Sequence, residues 1–110
     1  MIANLMGHMD YLHILLTLRR CGPLRFSEIQ NTLKLNPNQV DRALKVLRDD
    51  FWIIPRTIPT KSHRVFVEYE LSHRGEVFLC KVVDPLRETV RKNAAVLGAH
   101  ALREVQSLYR

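Results

Sequence analysis

Asn38, Gln39, Arg42 and Lys45 fall within eight residues of one another. Amides and a guanidinium hydrogen-bond to the edges of bases, and lysine and arginine neutralise phosphates. A second group follows in Arg56, Lys61, His63 and Arg64. It lies in a stretch from Phe51 through Val67 that has no acidic residue and a local charge of +3. The whole chain of 110 residues carries +6, an excess that favours a polyanionic partner. Each group also has a plainer use. Asp41 and Lys45 have the spacing of a local helical ion pair, Gln39 has the spacing of a capping residue, and a charged hairpin edge resists aggregation. The single sign of the second group tips the balance toward phosphate. Asp41, Asp49 and Asp50 repel phosphate and are expected to face away from it or to guide register.

Other chemistries are poorly supplied. His8, Asp10 and His13 invite a metal, but histidines five apart do not share a helical face. Cys21 and Cys80 stand alone, without the close spacing of a zinc or disulfide motif, and read as reduced thiols. There is no Ser/His/Asp set, carboxylate pair or glycine-rich phosphate loop. The expectation is a non-enzyme with no cofactor and no metal. The apolar stretch from Tyr11 to Leu18 contains His13 and Thr17 and ends at Arg19 and Arg20. It reads as neither a signal peptide nor a membrane span, so a soluble, cytoplasmic chain without a membrane partner is expected.

The elements that hold these groups can be traced by periodicity. A first helix is expected from Gly7 to Cys21, with Met9, Leu12 and Leu15 or Leu16 buried, a basic last turn, and Gly22-Pro23 as its stop. A short second helix covers Phe26 to Lys34, with Phe26, Ile29 and Leu33 on one face. Ser27 and Gln30 form a candidate capping box, and a start at Arg25 is the alternative. The third helix opens on Asn36 as cap, Pro37 in the first position and Gln39 reaching back. It buries Val40, Leu44 and Leu47 with Ala43 and Phe51 beside them, and leaves its polar face outward. Trp52 to Thr57, ending near Pro59, reads as a strand. Val65, Val67, Tyr69 and Leu71 alternate with Phe66, Glu68, Glu70 and Ser72 as a half-buried second strand.

Ser72 is a candidate cap for a last helix. Apolar residues recur at Leu79, Val83, Leu86, Val90, Ala94, Leu97, Ala101, Val105 and Leu108, in steps close to an eleven-residue repeat. The stripe runs through Pro85, which favours one kinked helix over two separate ones. A helix reaching Leu108 spans about 55 Å at 1.5 Å per residue, too long for the small N-terminal part to cover. Those nine residues are therefore expected to form a homodimer interface. The division is residues 1–72 as a DNA-binding part and 73–110 as a helical dimerisation segment, within one compact domain.

Helix, short helix, turn, helix, β-hairpin, helix is the order of a winged helix-turn-helix. The fold class is mainly α with a small antiparallel β-hairpin and a long C-terminal dimerisation helix. Residues 13–75 resemble the winged-helix transcriptional regulators of bacteria and archaea, HxlR-type most nearly, with MarR- and PadR-type beside them. The resemblance rests on Ile14-Leu15, on Gly22-Pro23-Leu24-Arg25-Phe26-Ser27-Glu28-Ile29, on Leu44 and Leu47, and on Val67-Glu68-Tyr69-Glu70-Leu71-Ser72 with Gly75. It implies a regulator that places its third helix in the major groove of double-stranded DNA and its wing on the backbone or minor groove.

Three departures stand out. Such regulators often have glycine where Lys34 and Phe51 stand here, so the two turns are expected to be shaped differently. HxlR-type proteins often have a cysteine near the N-terminus, and none precedes the first helix in this chain. The resemblance does not identify a small-molecule effector. The alternative reading is a protein-interaction module that docks through the third helix or through an exposed strand at Trp52–Ile54.

Overall fold

A computed structural model of the chain describes Leu5, residues 7–62 and residues 64–93. His63, Ala94, Leu97, Ala101, Val105 and Leu108 lie outside the described residues.

Helix α1 spans Met9–Cys21, two residues shorter at its start than expected. His8 is extended there, with φ −132°. Tyr11, Leu12, Ile14, Leu15, Leu16, Thr17 and Leu18 are all buried, far more than the expected stripe, because α1 runs through the middle of the molecule. The buried Thr17 hydroxyl is satisfied locally: Thr17 Oγ1 donates to the His13 carbonyl at 2.7 Å. The helix ends at Gly22, whose φ of +83° is one that glycine adopts without strain.

Leu24–Arg25 forms a short strand β1 and Phe26–Leu33 the helix α2. The expected Ser27–Gln30 capping box is replaced by one set two residues earlier. The Arg25 N–H donates to Glu28 Oε1 at 2.9 Å, which fixes the helix start at Phe26. Helix α3 spans Pro37–Asp49 and opens on the expected box. Gln39 N–H donates to Asn36 Oδ1 at 2.8 Å, and Asn36 N–H to Gln39 Oε1 at 3.0 Å.

The expected change of turn shape does not occur. Lys34 has φ 55° and Phe51 φ 62°, so both occupy the left-handed region despite their side chains. After α3 the Trp52 N–H bonds the Leu47 carbonyl at 2.8 Å and the Phe51 N–H bonds the Arg48 carbonyl at 3.0 Å. That is a Schellman motif with Phe51 in the position usually taken by glycine, and Trp52 and Leu47 buried together. The backbone bonds and the buried pair dictate the conformation, and the Phe51 ring is left 72% exposed.

Strands β2, Ile53–Pro59, and β3, Val65–Leu71, pair antiparallel, and β1 adds to the other side of β3, giving the order β1-β3-β2. The third strand is a feature that sequence periodicity missed, since two residues are too few to alternate. Trp52 itself lies outside β2 and is buried, as is Ile53, so the surface of the alternative reading shrinks to Phe51 and Ile54. Tyr69 and Leu71 pack on the core, but Val65 and Val67 are exposed because the wing extends past it. Pro55 and Pro59 sit on the outer edge of β2, where the lack of an N–H discourages a further strand.

The last helical run comprises α4, His73–Phe78, a π-helical segment Leu79–Val83, and α5, Asp84–Lys92. Ser72 caps it as expected, accepting from the Gly75 N–H at 3.0 Å. The run passes through Pro85 unbroken. Proline lacks the N–H for the usual bond and crowds the carbonyl four residues back, and the wider π turn falls just before it. Phe78, Leu79 and Val83 share a single core with α1, α3 and Trp52. Across the surface of that core Arg19 grips Asp84 with two hydrogen bonds, of 2.8 and 3.0 Å. That hydrogen bonding raises the Arg19 pKa further above its already high value.

Two stability predictions follow from the backbone. Lys34→Gly and Phe51→Gly each relieve a left-handed side-chain clash and are expected to stabilise the fold by about 1 kcal/mol. Gly75→Ala places a Cβ 2.5 Å from the Trp52 carbonyl oxygen and 2.7 Å from Leu71 Cδ1, and is expected to destabilise by about 1–3 kcal/mol. Urea unfolding midpoints at constant m-value check all three.

Candidate nucleic-acid interface

Helix α3 separates its side chains cleanly. Val40, Ala43, Leu44 and Leu47 are buried, while Asn38, Gln39, Asp41, Arg42, Lys45, Arg48 and Asp49 are exposed. The capping box holds the first turn open to solvent and commits the Gln39 side-chain oxygen to the Asn36 N–H. Asn38, one residue earlier, keeps its amide for another partner.

The cations divide into two sets. Lys45 Nζ lies 2.9 Å from Asp41 Oδ2, Arg48 is 3.3 Å from Asp49 Oδ1, and Arg56 Nη1 is 3.1 Å from Glu70 Oε2. These charges are neutralised within the chain. Arg42 on α3 and Lys61 and Arg64 in the wing have no acidic partner among the described residues, and all three are exposed. The wing turn is tied by Thr60, whose hydroxyl donates to the Arg64 carbonyl at 2.7 Å and whose N–H reaches the same oxygen at 3.2 Å. Thr60 and Ser62 hydroxyls are 3.1 Å apart. The ends of the wing backbone are therefore held while Lys61 and Arg64 project from it.

Of the residues expected at a dimer interface, Leu79 and Val83 are corrected. They are 0% and 1% exposed within the core of this one chain, and so offer no surface to another. Leu86 is exposed and Val90 half-buried. The π turn is the physical reason. It takes an extra residue per turn, so an even heptad-like stripe read across it does not stay on one face. The apolar residues that do face outward are Val77, Val82 and Leu86, five and then four apart.

Two contacts escaped the sequence reading. The Arg74 guanidinium lies over the Trp52 ring, 4.1 Å from its centroid, and that of Arg25 lies over Phe66 at 4.4 Å. Neither leaves a local signal, since each joins residues far apart in the chain. Among the described residues no His/Cys/Asp/Glu group has the arrangement of a metal site, and no helix is long and apolar enough to cross a membrane.

A helix with an exposed polar face, preceded by a short helix and followed by a small antiparallel sheet with a basic hairpin, is the arrangement of a winged helix-turn-helix. Solved structures share it. The reduced form of the transcriptional regulator YodB from B. subtilis superposes with a TM-score of 0.70 at 22% identity, covering 84% of this chain and 86% of that one. A transcriptional regulator homologue from Pyrococcus horikoshii OT3 gives 0.70 at 20% identity over 81% and 87%. A MarR family transcription regulator gives 0.66 at 16% identity over 91% and 65%. No protein-family model and no curated protein sequence matches the chain. The chain thus has the fold of the MarR-like winged-helix regulators.

The Asp41–Lys45 pair is solvent-exposed at both ends, and such pairs contribute little. Asp41→Asn is expected to change unfolding free energy by no more than about 0.5 kcal/mol, checked by denaturant titration.

Proposed function

We propose that this protein is a sequence-specific double-stranded DNA-binding transcriptional regulator that acts as a homodimer on a pseudopalindrome. The observation that supports it most is the pairing of an uncommitted polar helix face with an uncommitted basic wing tip. Asn38 and Arg42 stand on the exposed side of α3, Lys61 and Arg64 are exposed in the wing, and none of the four has a side-chain partner among the described residues. In this reading α3 enters the major groove, which admits a helix. Arg42 reads a base edge, Asn38 and Gln39 contact the groove nearby, and Lys45, once released from Asp41, meets a phosphate. Arg56, Lys61, His63 and Arg64 follow the backbone or the adjacent minor groove. A two-fold dimer through the C-terminal helical region presents two such units to half-sites about one turn of DNA apart. Its interface draws on Leu86 and Val90 together with Ala94, Leu97, Ala101, Val105 and Leu108. Work on DNA takes place in the cytoplasm of a prokaryotic cell, and the protein is not an enzyme.

Selection of bound duplexes from random DNA at physiological salt tests this. The expected result is an enriched palindrome, with affinity falling steeply as salt rises. Arg42→Ala together with Lys45→Ala is expected to weaken binding to the selected duplex about tenfold or more, with the dimer mass by light scattering unchanged. Weak binding with no enriched motif would leave only charge-driven association and would favour a protein-interaction module.

A further inference from the structure

The wing is poorly supported along most of its length. Strand β1 pairs with β3 only at Leu24↔Tyr69 and Arg25↔Glu68. Beyond Glu68 toward the tip the wing is a two-stranded ribbon, Thr57↔Val67, Ile58↔Phe66 and Pro59↔Val65. Val65 and Val67 there face solvent instead of the core. A hairpin of two strands alone holds its shape weakly in water.

One side chain reaches past that limit. Arg25 is the last residue of β1 and the residue before α2. Phe66 lies two residues beyond Arg25's register partner Glu68, on the same face of β3, the diagonal position that long side chains span. The Arg25 guanidinium covers the Phe66 ring at 4.4 Å. Its nearest carboxylate, Glu28 Oε1, is at 4.0 Å, the outer limit of an ion pair, and that same oxygen is occupied by the Arg25 N–H at 2.9 Å. The backbone of Arg25 is therefore held by the start of α2 while its side chain rests on the outer wing.

We infer that Arg25 is a positioning residue for DNA recognition. Through its stack on Phe66 it holds the wing at a set angle to the helix-turn-helix, so that Lys61 and Arg64 meet phosphates while α3 is in the groove. The inference rests on the DNA-binding reading and assigns a role to two residues that do not themselves read DNA.

A thermodynamic cycle separates this role from a direct contact. Affinity for the selected duplex is measured for the full chain, for Arg25→Ala, and for each in a background carrying Lys61→Ala and Arg64→Ala. Arg25→Ala is expected to weaken binding about two- to fivefold, the size of an exposed cation–π contact, and to have no effect once the wing cations are gone. Phe66→Leu is expected to match Arg25→Ala and not to add to it, while Phe66→Tyr, which keeps the ring, binds as the parent does. Equal losses in both backgrounds would mean that Arg25 touches DNA itself and would overturn the inference, as would full affinity in Arg25→Ala or Phe66→Leu.

A second readout needs no DNA. Amide exchange in the free protein at Ile58 and at position 66, the pair of the outer ribbon whose N–H groups bond across it, is expected to speed up in Arg25→Ala and Phe66→Leu, with exchange in α1 unchanged. Unchanged exchange in the wing would overturn the inference even where affinity falls. Failure of the parent chain to bind any duplex would overturn the DNA reading and the role of the wing cations with it. The exchange arm would still decide whether the stack holds the wing.

Discussion

The backbone carbonyl of Trp52 is where α3, the wing and the last helical run are tied together. It accepts from the Ser72 N–H at 3.1 Å, and the Ser72 hydroxyl lies 2.9 Å from it and 2.7 Å from the Phe51 carbonyl, sharing one proton between them. The same hydroxyl accepts from Gly75 and so starts α4. Trp52 N–H closes the end of α3 on Leu47. The ring below the knot is clamped between Phe78, with centroids 5.1 Å apart, and the Arg74 guanidinium. Trp52 and Ser72 are buried, and an unmade hydrogen bond between them would cost more than one made in solvent gains. The strained left-handed turn at Phe51 and the missing side chain at Gly75 are both consequences of bringing three chain segments to that one oxygen.

From this knot α3 and the wing emerge with opposite support. Helix α3 is packed on its whole inner face and capped reciprocally at its start. The wing leaves the core after Leu71 and Tyr69 and is thereafter held by strand pairing, the Thr60 turn and the Arg25–Phe66 stack. Three pairs neutralise Lys45, Arg48 and Arg56 inside the chain. Arg42, Lys61 and Arg64 are left as exposed cations of α3 and the wing with no acidic partner among the described residues.

The helical run after Ser72 serves two surfaces at once. Phe78, Leu79 and Val83 complete the core around α1, and the Arg19–Asp84 fork locks the run against the end of that helix. Val77, Val82 and Leu86 look outward. One regular α-helix with an even apolar stripe would turn a single face inward. The π turn before Pro85 shifts the phase between the two halves, so the start of the run belongs to the core of its own chain while its apolar outer face remains uncovered.

Much of the fold was legible in the residues because its signals are local. Asn36-Pro37 with Gln39, Gly22-Pro23, Ser72, and the apolar spacings of α1 to α3 each act within one or two helical turns, where side-chain and backbone chemistry alone select the conformation. The exposed polar face of α3 and the acid-free wing were legible for the same reason. What needed the tertiary structure joins residues distant in sequence. The strand β1 exists only because β3 pairs with it. Lys34 and Phe51 take the left-handed region only because long-range burial outweighs a cost of about 1 kcal/mol. Leu79 and Val83 lie inside because the start of the run packs into the core with α1 and Trp52, and the π turn sets Leu86 out of phase with them. The stack of Arg25 on Phe66, 41 residues apart, leaves no trace in either local pattern. Periodicity reports which residues can be buried; packing alone decides against what.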